Sequence, residues 1–170
     1  MAIVYLGIGS NLGNRHGNLD FAWQAVMKLP VSRYRQGSRV YQSQPVGPVD
    51  QNDYLNQVLE IETELDPRVL LSYLQQIEQE AGREPLQQRI RWGPRKLDID
   101  ILLYDERVID EPDLSIPHQG MHNRWWVLKP LCDLNPSLVH PLIGKTVRQL
   151  LDLLEFQQQV EEACTTLTKH

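Results

Sequence analysis

Hydrophobic positions along the 170 residues change period several times, and each change predicts an element. Residues 2–9, AIVYLGIG, are a short apolar run with β-branched members, which predicts a first strand. The following SNLGNRHGN is turn chemistry. From Leu19 the spacing becomes helical: Leu19, Ala22, Trp23, Val26 and Leu29 fall on one face, with Asn18 as expected N-cap and Pro30 as stop. Residues 31–44 predict a strand, clearest at SRVYQSQ, before the loop PVGPVDQND. YLNQVLEIET, residues 54–63, alternates: Leu55, Leu59 and Ile61 share one face, Tyr54 and Asn56 the other. Asp66-Pro67 starts a second helix, whose stripe is Leu70, Tyr73, Leu74, Ile77 and Ala81, and Gly82 ends it. A polar segment, 83–96, leads to a strand at LDIDILLY, residues 97–104.

The order β-α-β-β-α-β predicts an α+β fold of ferredoxin-like type. Its antiparallel sheet carries both helices on one face and leaves the other for additions or a ligand. Residues 105–170 add a short strand at RVID, the loop DEPDLSIPHQGMHN and helical pieces such as TVRQLLDLLE. The length suits one domain over residues 1–170, with about 157–170 as a peripheral tail.

LDIDILLY holds an anomaly. Period two puts Asp98 and Asp100 on one face, continued by Leu102 and Tyr104, while Leu97, Ile99, Ile101 and Leu103 fill the other. Two carboxylates roughly 7 Å apart repel by roughly 2–3 kcal/mol at an effective dielectric near 20. A cation between them reverses the sign, and hard oxygen ligands select magnesium, which completes its shell with water and phosphate oxygens. The plain alternative is a solvated strand end bearing two charges. Arg83, Arg89, Arg91 and Arg95 precede the pair, and guanidinium forks suit phosphate. Carboxylates for metal and arginines for phosphate are what phosphoryl transfer requires; a solvated basic loop is the alternative for any single arginine.

Charge and cysteines narrow the classes. A net charge of −5 argues against a nucleic-acid binder working by bulk charge. The apolar start is too short for a membrane span, and isolated Cys132 and Cys164 read as reduced thiols of a cytoplasmic protein. GIGSNLG lacks the Gly-Lys-Ser/Thr ending of a phosphate loop, so a tight turn is expected there. His118 and His122 stand four apart, but Pro117 and Gly120 argue for a loop rather than a zinc helix.

With those residues in view, the chain resembles the 6-hydroxymethyl-7,8-dihydropterin pyrophosphokinases. The matching pieces are GSNLG at 9–13, GPVDQNDYLN at 47–56, RWGPRKLDIDILLY at 91–104, IPHQGMHNR at 116–124 and VLKPL at 127–131. The resemblance implies a monomer acting on two small molecules, ATP and the dihydropterin, with no nucleic-acid or membrane partner. It implies transfer of the β,γ-diphosphate to the hydroxymethyl group, releasing AMP. Asp98 and Asp100 are implied to hold two Mg2+ ions, Asp98 also facing the pterin hydroxyl. Arg83 and Arg95 are implied catalytic arginines, and Trp92 seals the closed site. Gln75, Glu78, Ile101, Ser115, His118 and Arg124 match nucleotide contacts. Ser43, Gln44, Val46, Tyr54, Asn56 and Trp126 match the pterin site, where an amide can pair with the ring edge and an aromatic wall can stack on its face. The chain departs from the family pattern at Lys96, Asp113, Gln119 and Trp126. Two readings of other classes compete: a non-catalytic binding module on the same scaffold, and a ferredoxin-like RNA-binding domain, which the aspartates on the strand oppose.

Overall fold

The computed structural model describes residues 1–82 and 94–168. Strand β1 (Ala2–Ser10) leads to helix α1 (Arg15–Met27), then to β2 (Ser32–Gly37), β3 (Tyr41–Ser43) and the long β4 (Tyr54–Thr63). Helix α2 (Pro67–Glu80) and β5 (Asp98–Tyr104) complete the core. A hairpin follows, β6 (Ile109–Glu111) and β7 (Leu114–Ile116), then a 3-10 turn at Met121–Asn123, α3 (Trp125–Leu134) and α4 (Val147–Thr168). The main sheet runs β2-β4-β1-β5, with β3 also on β4, and its pairings are antiparallel. This is the ferredoxin-like arrangement the element order predicts.

Alternation along β1 separates two cores. Val4, Leu6 and Ile8 point to one face, where α1 lays Leu19, Ala22 and Val26 and α2 lays Leu70, Leu74 and Ile77. On the other face Tyr5, Val58, Leu102 and Leu103 meet Leu128 and Leu131 of α3 and Val147, Leu150 and Leu151 of α4. The C-terminal helices cover that face only at the Tyr5 end. Beyond it, β1 carries Gly7 and Gly9.

Several local expectations are corrected. Helix α1 starts at Arg15, capped by Asn14, whose Oδ1 accepts from Gly17 N at 3.0 Å. The predicted cap, Asn18, lies inside the helix and donates to Ser10 Oγ and Leu12 O. The first helical turn is polar, so apolar periodicity could not mark it. The strand expected over 31–44 is two strands, interrupted where the Ser38 hydroxyl accepts from Val58 N at 2.9 Å in place of a ladder carbonyl. Tyr73 is exposed rather than part of the buried stripe. The first half of the loop expected after RVID is the β6–β7 hairpin.

A bulge corrects the β5 faces. Tyr5 pairs with Leu103 but Leu6 pairs with Ile101, so Leu102 is the extra residue. Leu102 and Leu103 both join the second core, and Tyr104 turns into the first, where its hydroxyl donates to Leu65 O at 2.6 Å. Asp98 and Asp100, before the bulge, keep their common face. Lys96 lies against Gly82, its Nζ 3.3 Å from where a Cβ would stand. It thus sets a cation at the C-terminal end of α2, where the helix dipole favours one.

The connection into α4 contains a buried histidine. His140 is 3% exposed, and its Nδ1 accepts from Leu142 N and Ile143 N. Burial, then the neighbouring His122, pushes its pKa below the ordinary 6.5. A depressed histidine favours the neutral form in the fold, so its stabilising contribution is present above the unfolded pKa and is lost as pH falls below it. Urea midpoints are expected to drop between pH 8 and pH 5, and to drop less in His140→Gln; identical slopes would remove His140 as a source.

Candidate active site

The open half of the second face is a trough whose floor is backbone. Pairing on both sides of β1 places Asn56, Gly9 and Asp98 in one row across the sheet, and Val58, Gly7 and Asp100 in the next. With strands about 4.8 Å apart, Asn56 and Asp98 stand about 10 Å from each other across a residue with no side chain. A Cβ on Gly9 would lie 3.5 Å from both Asn56 Oδ1 and Tyr54 Cδ1. Glycine inside a strand marks close approach of something else, and here it leaves room above the sheet.

Above this floor opens a cavity of about 360 Å³. Tyr54 and Asn56 of β4 line it, with Ser43, Gln44 and Val46 from the end of β3 and the following loop. Trp126, in the first turn of α3, closes the far wall. Asn56 Nδ2 donates to Ser43 Oγ at 2.8 Å, which turns its Oδ1 toward the Gly9 floor as an acceptor. Every residue matched to the pterin site is therefore on this cavity. Arg95, Asp98, Asp100, His118 and Arg124 line its other end, so a ring-sized space and a cluster of charged groups share one enclosure.

A second cavity of about 260 Å³ runs along β5, which is the edge strand of the sheet. Ile101 and Ser115 line it, and it shares Asp100 and His118 with the first. Asp100 thus stands at the joint between two spaces. Asp113, also on this wall, accepts from both terminal nitrogens of Arg68 at 3.0 Å, and that guanidinium holds its carboxyl below the usual range. Gln75 and Glu78 line neither space: Gln75 is exposed on α2 and Glu78 is buried. Arg83 and Trp92, with Arg89 and Arg91, lie outside the described residues.

His118 is neutral at physiological pH. Burial above all, then the Arg124 charge, pushes its pKa down to about 4, against a smaller opposing pull from Asp98. Its Nδ1 accepts from Gly120 N at 3.2 Å, so the proton sits on Nε2, which points at Asp100 Oδ2 from 3.7 Å. The group is a neutral N–H donor, neither a cation nor a base at that atom.

The acidic pair suits a hard, partly hydrated cation. Among the described residues no three His, Cys, Asp or Glu side chains converge as a closed metal cage. Two carboxylates on one wall of a polar cavity leave most of a six-fold shell to water and ligand oxygens, the donor set magnesium accepts. The residues thus fit magnesium and do not fit structural zinc. Gly7, Gly9 and Asn11 are the site features missed by reading periodicity. The signal for the first two was present: glycines two apart in a strand share a face.

This site fits a ligand joining a flat heteroaromatic ring to a phosphate chain. Residues 5–136 match the family of 7,8-dihydro-6-hydroxymethylpterin-pyrophosphokinases (HPPK), and the chain belongs to that family. It is 44% identical over 155 residues to the 2-amino-4-hydroxy-6-hydroxymethyldihydropteridine pyrophosphokinase of Haemophilus influenzae, covering 89% of this chain and 95% of that one. The enzyme of the same name from Pseudomonas aeruginosa is 42% identical, with 91% and 93% covered. Among solved structures, Plasmodium falciparum HPPK-DHPS with pteroate superposes with a TM-score of 0.72 at 15% identity, over 95% of this chain and 43% of that longer one. That likeness shows the fold.

Filling the floor tests the trough. Gly9→Val places a β-branched residue where strands accept one and where the nearest atoms stand at ordinary contact distance. The fold is expected to persist by circular dichroism. Overfilling the trough is expected to weaken a bound pterin by about tenfold or more in calorimetry. Unchanged affinity would place the ring elsewhere.

Proposed function

We propose that this chain is a magnesium-dependent pyrophosphokinase. It transfers the β,γ-diphosphate of ATP to the hydroxymethyl group of 6-hydroxymethyl-7,8-dihydropterin, yielding AMP and the dihydropterin diphosphate, a step of tetrahydrofolate biosynthesis. The observation that carries this reading is the place of the acidic pair. Asp98 shares a row with Asn56 across Gly9, on the ring side, and Asp100 lines both that cavity and the one along β5. A group bridging the two spaces passes Asp100, with Asp98 one row away.

In this reading the pterin lies over Gly9. Asn56 Oδ1 accepts from its edge, Tyr54 and Trp126 flank its faces, and Ser43, Gln44 and Val46 offer backbone groups. Ile101, Ser115, His118 and Arg124 hold the nucleotide. Arg95 and Arg124 neutralise the triphosphate, helped by Arg83, and Trp92 closes over it. The hydroxymethyl oxygen forms a bond to the β phosphorus as the bond from that phosphorus to the α-side bridging oxygen breaks, and AMP leaves with that electron pair. The hydroxyl loses its proton in the same exchange. His118 is not the acceptor at Nε2, because that atom already carries hydrogen. Two bound magnesium ions would neutralise phosphate charge against the two carboxylates and acidify a coordinated hydroxyl. Asp98 and Asp100 hold and space that charge; Asp98, nearer the ring, orients the hydroxymethyl group.

The chain acts on small molecules as a monomer in the cytoplasm; no described helix is long and apolar enough to cross a membrane. The assay supplies ATP, magnesium and the dihydropterin and follows AMP. ADP as product would mean transfer of the γ-phosphoryl group alone, and absence of product would leave a binding module. Asp98→Ala and Asp100→Ala are each expected to lower kcat by about a thousandfold or more, as loss of charge stabilisation in a preorganised site does. Chelation with EDTA is expected to abolish turnover and added Mg2+ to restore it; turnover that survives chelation would refute the metal role.

A further inference from the structure

Asn11 follows β1 directly and is 1% exposed. Its Nδ2 donates to Gln51 Oε1 at 2.7 Å and to Asn52 O at 3.1 Å. Its Oδ1 accepts from Arg95 N at 2.7 Å, and its backbone N donates to Arg95 O at 3.0 Å. The side-chain Nδ2 therefore holds the loop between β3 and β4, while Oδ1 and the backbone N together meet the N–H and C=O of Arg95. Gln51 and Arg95 both line the main cavity, on the walls that serve ring and phosphate.

An asparagine after a strand ordinarily serves its own turn. In this turn that work is done by others: Asn14 caps α1 on Gly17 N, and Asn18 binds Ser10 Oγ and Leu12 O. The side-chain bonds of Asn11 all reach residues 40 or more positions away. Both amide hydrogens are used and the carbonyl oxygen is engaged, so the side chain has one orientation. Arg15 and Gln42 tie the same loop at Asp53, its far end.

We propose that Asn11 is a positioning residue that sets the distance between the triphosphate arginine and the ring wall. This rests on the pyrophosphokinase reading above. Each wall can still bind its own ligand without the link; what is lost is the register of one wall to the other, and a misplacement of about 1 Å costs about a hundredfold in rate. The effect therefore belongs in kcat rather than in either binary affinity.

Asn11→Ala is expected to lower kcat about a hundredfold, while calorimetric affinities for MgATP alone and pterin alone each stay within about threefold of wild type. Asn18→Ala is the control from the same turn: a lower melting temperature with kcat within about twofold. If Asn11→Ala is insoluble, isosteric Asn11→Asp carries the test; it keeps the acceptor for Arg95 N, loses both amide donors, and is expected to lose at least about tenfold in kcat at unchanged MgATP affinity. Wild-type kcat in the Asn11 variants overturns the proposal, as does a matching loss of either binary affinity or an equal loss in Asn18→Ala. Failure of the wild-type protein to form AMP strikes the functional reading instead, and the two failures are separable.

Discussion

Everything at the site depends on β1 being paired on both sides while it carries no side chain at positions 7 and 9. The two ladders fix Asn56 and Val58 on one flank and Asp98 and Asp100 on the other, at a separation set by strand spacing alone. Antiparallel hydrogen bonds on both edges hold that geometry without help from a ligand. The cavity above Gly9 therefore has the Asn56 amide on one flank and the Asp98 carboxylate on the other. The same strand carries Val4, Leu6 and Ile8 into the opposite core, so stability and recognition come from alternate residues of one segment.

Coverage of the second face decides where chemistry can occur. Helices α3 and α4 dock on Tyr5, Val58, Leu102 and Leu103 and stop there. The bulge at Leu102 strengthens that docking, since two consecutive leucines of β5 then face the same layer. It also keeps the bulged region out of the carboxylate rows, which precede it. Trp126 sits where the covered half meets the open half, packed against the second core and lining the cavity at once. The C-terminal addition is thus a wall of the site as well as a lid on the sheet.

Much of this was legible in the sequence because it follows from period and turn chemistry. The β-α-β-β-α-β order, the shared face of Tyr54 and Asn56, and the shared face of Asp98 and Asp100 need only the pleat of a strand. What was illegible had no period to reveal it. The α1 start is polar, the break at Ser38 is a side-chain hydroxyl replacing a carbonyl, and a bulge is invisible to strict alternation, so Leu103 and Tyr104 were assigned to the wrong faces. Asn11 has the look of turn chemistry in the sequence because its partners, Gln51, Asn52 and Arg95, are distant along the chain. GIGSNLG reads as a turn, whereas Gly7 and Gly9 take their meaning from the strands on either side.

The electrostatics explain why the site tolerates its own composition. Two carboxylates on adjacent rows repel, yet Arg95 and Arg124 line the same enclosure. His118 adds no charge, because burial and Arg124 keep it neutral. A protonated imidazole there would neutralise the Asp100 side of the pair and compete with a divalent cation for the same oxygens. Holding the ring neutral keeps a further cation away from Asp100 and leaves Nε2–H as a donor at the joint of the two cavities. The depressed histidine is thus a neutral donor beside the acid pair rather than a base at Nε2. The proton released by the attacking hydroxyl leaves to solvent, since His118 Nε2 already carries hydrogen, and a mechanism relying on charge placement rather than proton abstraction is what phosphoryl transfer of this kind requires.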